Sequence, residues 1–241
     1  MNAAAVRIAV SSSTFRRPLA AGELTQLEWL ERCASALGVD GVLADVTDFP
    51  RRDAEYVAQL RKVAIDLGLV PFGLDAAGLF EPNGGAAREE ALALASGFGA
   101  AVVRTTLPAP GEVPPATFAE VTGVAKAFSR AAKAANVTIV VATAPGTLGA
   151  DLAGVKHLMK DVDSAWLRPC PTALLDEVGP RDRYPAFVAT PADDPVAVAA
   201  RASRAWVVLD VAPADRPWDL ARDGVAALRH ADAQRLLVAG R

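Results

Sequence analysis

The sequence predicts an α/β chain folded as a (β/α)8 TIM barrel, and three observations carry that prediction. Helical segments end in a repeated signature, each signature is followed by an apolar run of strand length, and the repeat divides the chain into about eight units. The signature is Ala34-x-x-Leu37-Gly38-Val39, then Ala64-x-x-Leu67-Gly68-Leu69, then Ala95-x-x-Phe98-Gly99-Ala100. A fourth copy, Ala132-x-x-Ala135-Asn136-Val137, carries Asn in place of Gly. Gly, and less often Asn, ends helices because the residue after the last turn takes a left-handed conformation. The spacing is about 30 residues, and a chain of 241 holds about eight such units. Eight units close a barrel, whereas five or six leave an open doubly wound sheet.

The elements follow in order. Arg7–Ser11 is the first strand, its short apolar patch reading as strand and not as a signal peptide. Gly41–Val46, Val70–Leu74, Ala101–Thr105 and Thr138–Val141 are apolar runs of the kind that parallel strands need, being covered on both faces. Between them Leu27, Leu30, Ala34 and Leu37 form one helical stripe, as do Val57, Leu60, Ala64 and Leu67. Leu152, Val155, Met159 and Val162 repeat it further on. In the last third, Ala165–Leu167 and Ala205–Asp210 read as strands, Trp218–His230 as a helix and Arg235–Ala239 as the final strand. Leu236–Ala239 should then lie beside Arg7–Ser11 and close the ring. Counting Phe187–Thr190 as well would make nine strands, so that segment reads as a loop leading to a helix capped by Asp194 with Pro195 in its first turn. Residues 1–241 are expected to form a single domain.

Composition excludes several classes. Hydrophobic residues are 52% and charged residues 22%, with a net charge of −3, which gives no field suited to nucleic acid or an anionic membrane surface. No apolar run reaches the length of a membrane span. Cys33 and Cys170 form neither a zinc spacing nor a disulfide framework. The expectation is a cytoplasmic protein with a small-molecule ligand; self-association into a homo-oligomer is left open.

Several segments together resemble the sugar phosphate isomerase/epimerase family, the xylose isomerase-like TIM barrels. They are the Ser-rich turn Ser11–Thr14, Leu37-Gly38-Val39-Asp40-Gly41-Val42, Phe49-Pro50, and Asp66-Leu67-Gly68-Leu69. Gly99-Ala100-Ala101-Val102-Val103-Arg104 looks like the family's fourth strand, Ala144-Pro145-Gly146-Thr147-Leu148 like the turn after its fifth, and Val207-Val208-Leu209-Asp210 like its seventh strand. The resemblance implies a divalent metal held by a Glu ending the fifth strand, an Asp ending the sixth, a His on the seventh and a Glu ending the eighth. Carried over position by position, this chain has Ala142, an acid-free Leu167–Pro171, Val207 and Ala239 there. Leu43 or Ala44 stands at the frequent Glu of the second strand. His157 and His230 fall within helices. The reading is therefore a divergent member with no metal and no other cofactor.

Barrel sites lie at the C-terminal ends of the strands. The polar residues placed there include Asp45, Asp75 and Asp210, candidate general bases, and Ser12, Arg104 and Arg168, candidate substrate-binding residues. Arg suits an anion because its planar fork binds carboxylate or phosphate bidentately. Against these roles stands a bland alternative: Arg and Asp near the mouth neutralise each other, Asp45 or Asp48 caps a turn, and Cys170, without a His partner, is an inert buried thiol. Two functions follow. One is a metal-independent isomerase, epimerase or lyase acting on a small polar, carbohydrate-like and possibly anionic molecule. The other is a non-catalytic ligand-binding or scaffold barrel, with a biosynthetic lyase or cyclase using the mouth as a shaped pocket lying between them. A closed Arg–Asp network at the mouth would favour the second; one isolated acid in a deep pocket would favour an enzyme.

Overall fold

Parallel strands alternate with helices around one sheet in the computed structural model, which describes residues 5–109, 117–172, 184–202, 205–212 and 214–239. The strands are β1 (Arg7–Ser11), β2 (Gly41–Asp45), β3 (Val70–Asp75), β4 (Val102–Thr106), β5 (Thr138–Ala142), β6 (Leu167–Cys170), β7 (Ala186–Ala189) and β8 (Trp206–Leu209). They pair in the order β6-β5-β4-β3-β2-β1-β8-β7. Among the described residues, the ring is completed between β6 and β7 by one parallel bridge from Thr172 to Val188, whose N–H donates to the Pro171 carbonyl at 3.0 Å. The helices are α1 (Arg16–Ala20), α2 (Gln26–Arg32, continued by a π turn over Cys33–Leu37), α3 (Ala54–Asp66), α4 (Gly85–Phe98), α5 (Phe118–Ala135), α6 (Leu152–Val162), α7 (Pro195–Arg201) and α8 (Pro217–Ala239).

The local chemistry explains the boundaries. Thr25 and Thr117 close capping boxes with Glu28 and Glu120, and Asp53, Asp151 and Asp194 cap the starts of α3, α6 and α7. Gly38, Gly68, Gly99 and Asn136 have φ of 62°, 75°, 80° and 55°, so the repeated signature ends helices as its chemistry requires. Alternation along each strand then sorts side chains into two cores. Ile8, Val10, Val42, Leu74, Val103, Ile139, Val141, Val207 and Leu209 face the helices. Ala9, Leu43, Phe72, Val102, Val140, Cys170, Ala186, Val188, Trp206 and Val208 fill the barrel interior. Among the described residues no helix is long and apolar enough to cross a membrane.

The last third differs from the sequence reading. The stretch Leu236–Ala239 is the end of α8 and not a strand: no Gly or Pro interrupts residues 217–239 after Pro217 except the buried Gly224, and nothing turns the chain back. Asp232, earlier in α8, is buried, accepts the Val6 N–H at 2.8 Å and pairs with Arg235, which pins the helix to the residue leading into the first strand. The segment around Phe187–Thr190, read as a loop, contains β7, fully buried over Ala186–Ala189 between Pro185 and Pro191. Strand β6 begins at Leu167, where the sequence reading ended it. Val207 consequently belongs to the eighth strand, and β1 pairs with Trp206–Leu209 and not with Leu236–Ala239.

Candidate functional site

The mouth is built by extending the interior alternation one step. Two residues beyond Ala9, Leu43, Val102 and Val208 come Ser11, Asp45, Arg104 and Asp210, and Asp75 stands in register with Asp45 and Arg104. Five strand ends thus deliver polar side chains to one place. Arg104 is buried, and its Nη2 donates to Asp75 Oδ2 at 2.5 Å and to Asp210 Oδ2 at 3.0 Å. Burial alone would favour its neutral form, but the attraction of Asp75, its hydrogen bond and the charge of Asp210 outweigh that, so its pKa is raised. The three N–H bonds on Nε and Nη1 have no hydrogen-bond acceptor among the described residues.

Asp210 continues the network. Ser13 Oγ donates to its Oδ1 at 3.0 Å and lies 2.7 Å from Ser11 Oγ. A hydroxyl has one proton, so Ser11 is the donor to Ser13. A second cluster adjoins the first. Ser12 Oγ donates to Asp48 at 2.6 Å and accepts from the Asp45 N–H at 2.7 Å, tying the turn after β1 to the end of β2. Asp45 accepts from both the N–H and the hydroxyl of Thr47 and pairs with Arg16, whose Nε also lies 3.8 Å from Asp48. Asp45 therefore caps its turn, while Ser12 is fully enclosed. Arg16 was not singled out from the sequence; its place one turn after the Ser-rich segment is the signal that could have found it.

The Asp48 side chain is only 5% exposed. Burial raises its pKa, assisted by Asp45 and Asp75, against the hydrogen bond from Ser12 and the charge of Arg16. A carboxyl whose folded pKa is raised stabilises the fold most at low pH, and that contribution is lost as pH rises through its folded pKa. Asp48→Asn is expected to melt higher than the parent at pH 7, with the gap closing below the ordinary aspartate value of 3.8. Thermal melts at both pH values check this, and a lower melting point for the variant at pH 7 would contradict it.

Arg168 does not join Arg104. It is the second residue of β6, exposed, two positions before the interior Cys170 and at the end of the strand opposite the mouth. Cys170 is enclosed, and burial pushes its thiol up to about 12, the nearby Arg104 charge only partly opposing this. The reassigned strands also revise the metal positions that the resemblance implies. The fifth strand ends in Ala142, the sixth in Cys170, the seventh in Ala189 and the eighth in Leu209, directly followed by Asp210. The seventh-strand position passes from Val207 to Ala189, and one acid, Asp210, stands at the eighth-strand position where Ala239 was the expected occupant. That donor set does not fit a divalent ion: it offers one carboxylate already bound to a guanidinium and one enclosed, protonated thiol. Among the described residues no group of three or more His, Cys, Asp or Glu converges elsewhere. Elemental analysis of the purified protein is expected to find no stoichiometric Mn, Co, Zn or Mg; about one per chain, lost with a melting-temperature drop on chelation, would contradict it.

No protein-family model matches this chain, and no curated protein matches it in sequence. Solved structures do. The D-allulose 3-epimerase of Methylomonas sp. is 9% identical, with a TM-score of 0.72, over 95% of this chain and 98% of that one. A xylose isomerase domain containing protein from Salmonella typhimurium is 12% identical, with a TM-score of 0.66, over 98% and 99%. A family 2 AP endonuclease from Brucella melitensis is 14% identical, with a TM-score of 0.66, over 89% and 96%. The fold of this chain is that of the xylose isomerase-like TIM barrels.

Proposed function

We propose that the barrel mouth binds a small, uncharged, polyhydroxylated molecule of carbohydrate type without a divalent metal. The observation that carries the reading is Arg104, buried between Asp75 and Asp210 with three N–H bonds directed to no described acceptor. A polyol supplies both partners this arrangement needs, oxygen lone pairs for the guanidinium and hydroxyl protons for the carboxylates. Charge argues against an anionic ligand. Asp45, Asp48, Asp75 and Asp210 face Arg16 and Arg104, an excess of two acidic groups over two cations.

The network also supports binding over turnover. Asp75 and Asp210 both accept from Arg104, so neither is an isolated base aimed at a carbon-bound proton. Calorimetric titration with neutral ketoses and aldoses, their phosphates and simple carboxylates tests the ligand class; tight binding of a phosphorylated sugar with no affinity for neutral sugars would overturn it. Incubation of a bound ketose in deuterated water tests turnover. Deuterium appearing at the carbon beside the carbonyl would show an isomerase or epimerase instead.

A further inference from the structure

The junction between β6 and β7 is built unlike the others. Every other neighbouring pair of strands forms a parallel ladder, so the sheet is an open curl whose two edge strands, β6 and β7, abut. In a parallel strand, successive residues direct their backbone groups to opposite neighbours. The Trp166 carbonyl accepts from Ile139 of β5, so residues 166, 168 and 170 face β5 and residues 167, 169 and 171 face β7. Pro169 and Pro171 have no N–H to give. The Leu167 N–H donates to the Ser164 carbonyl at 3.4 Å instead. Residues 167–171 therefore offer β7 no backbone donor.

On the other side of the seam, Trp206 and Asp210 donate to the Pro185 and Ala189 carbonyls. Pro185, Phe187 and Ala189 thus face β8, while Ala186 and Val188 face β6. The bond from Val188 to the Pro171 carbonyl lies at the mouth end, beside the bridge from Thr172. Below it, packing and not a ladder closes the wall. Cys170, Ala186 and Val188, all small, belong to the barrel interior, and Leu167 and Phe187 belong to the core under the helices. A segment held by few backbone hydrogen bonds opens at lower cost than the fold as a whole.

We infer that the barrel opens locally at this seam, β6 parting from β7 while the ladders stay formed, which gives the interior beside Arg104 a transient side entrance. Cys170 lies on that interior face, fully enclosed and close enough to Arg104 to feel its charge. Opening brings both within reach of solvent through the barrel wall, whatever the mouth binds. Cys33 is equally enclosed, but it sits on the π turn after α2, away from the seam, and stays covered until the whole fold unfolds.

Cys33→Ala and Cys170→Ala each leave one thiol, whose labelling by methyl methanethiosulfonate is followed in the folded protein across sub-denaturing urea. Relative to the unfolded chain, Cys170 is expected to react at least about tenfold faster than Cys33 and to depend weakly on urea, while Cys33 follows global unfolding. Pro171→Val returns an N–H opposite the Ala186 carbonyl and should slow Cys170 by about three- to tenfold without slowing Cys33. Amide exchange in the parent gives a readout that needs no variant. Val188 and Phe187 are adjacent on β7, but the first faces β6 and the second β8, so Val188 should exchange faster. A common rate and urea dependence for the two thiols would overturn the inference. So would Val188 and Phe187 amides that exchange together, or Cys170 labelling that a folded Pro171→Val leaves unchanged, which would place the reagent's path at the mouth.

Discussion

Arg104→Met is expected to lower stability by about 3 kcal/mol and to abolish ligand binding at the mouth. The Arg104 side chain is 7% exposed and its guanidinium sits between Asp75 and Asp210, whose side chains are 23% and 29% exposed. Removing it leaves two carboxylates facing each other with no cation between them, on top of an already acidic mouth. Breaking a buried pair by deleting one partner costs about 3–5 kcal/mol, and partial solvent access to both acids puts this site at the lower end. For a chain of this length the melting temperature should fall by about 6–12 °C. Asp75→Asn added to Arg104→Met should recover part of the loss, because it removes one of the opposed charges. A double variant no more stable than the single one would show that the deficit comes from packing and not from charge.

The first two-thirds of the fold were legible because each unit carries its own stop signal. Gly38, Gly68, Gly99 and Asn136 mark helix ends by backbone conformation, and the apolar runs after them could only be buried strands. The last third lacks such punctuation. After His230 the chain runs on as Ala231–Ala239 with no turn residue, yet its leucines and valine imitate a strand. Strand β7, by contrast, is four residues long between two prolines, shorter than composition alone can separate from a loop. That single exchange displaced the eighth strand and hid the position of Asp210 relative to the other strand ends. Asp45, Asp75, Arg104 and Asp210 were legible as mouth residues from strand ends alone, and the structure brings them into adjoining clusters. The pairing of Arg104 with aspartates of the mouth was one of the two readings the sequence offered; the contact of Ser13 with Asp210 was not legible, since the two are 197 residues apart and only ring closure between β1 and β8 makes them neighbours. Arg168 was misplaced for a local reason: moving the start of β6 by two residues moves a side chain from one end of the barrel to the other.

The exchange of β7 for the C-terminal segment gives the second large effect. Phe187→Ala is expected to cost about 3–4 kcal/mol, whereas Leu237→Ala should cost less than about 0.5 kcal/mol. Phe187 is 2% exposed, lies on the helix-facing side of β7 in register with Val207, and packs edge-on against Tyr184 with ring centroids 5.4 Å apart. Truncating it removes most of a buried ring and leaves a cavity beside the β6–β7 junction, which among the described residues is held by one bridge. Neighbouring strands cannot collapse into that space without breaking the β7–β8 ladder. Leu237 is 71% exposed and Val238 75% exposed on the last turn of α8, so their apolar surface is already in water. Had residues 236–239 been the closing strand, the order of the two costs would reverse, with Leu237 buried in a core and Phe187 in a loop. Urea titrations of both variants, compared at equal m-value, measure the two costs side by side. A Leu237→Ala loss exceeding that of Phe187→Ala would place the closing strand at the C-terminus after all.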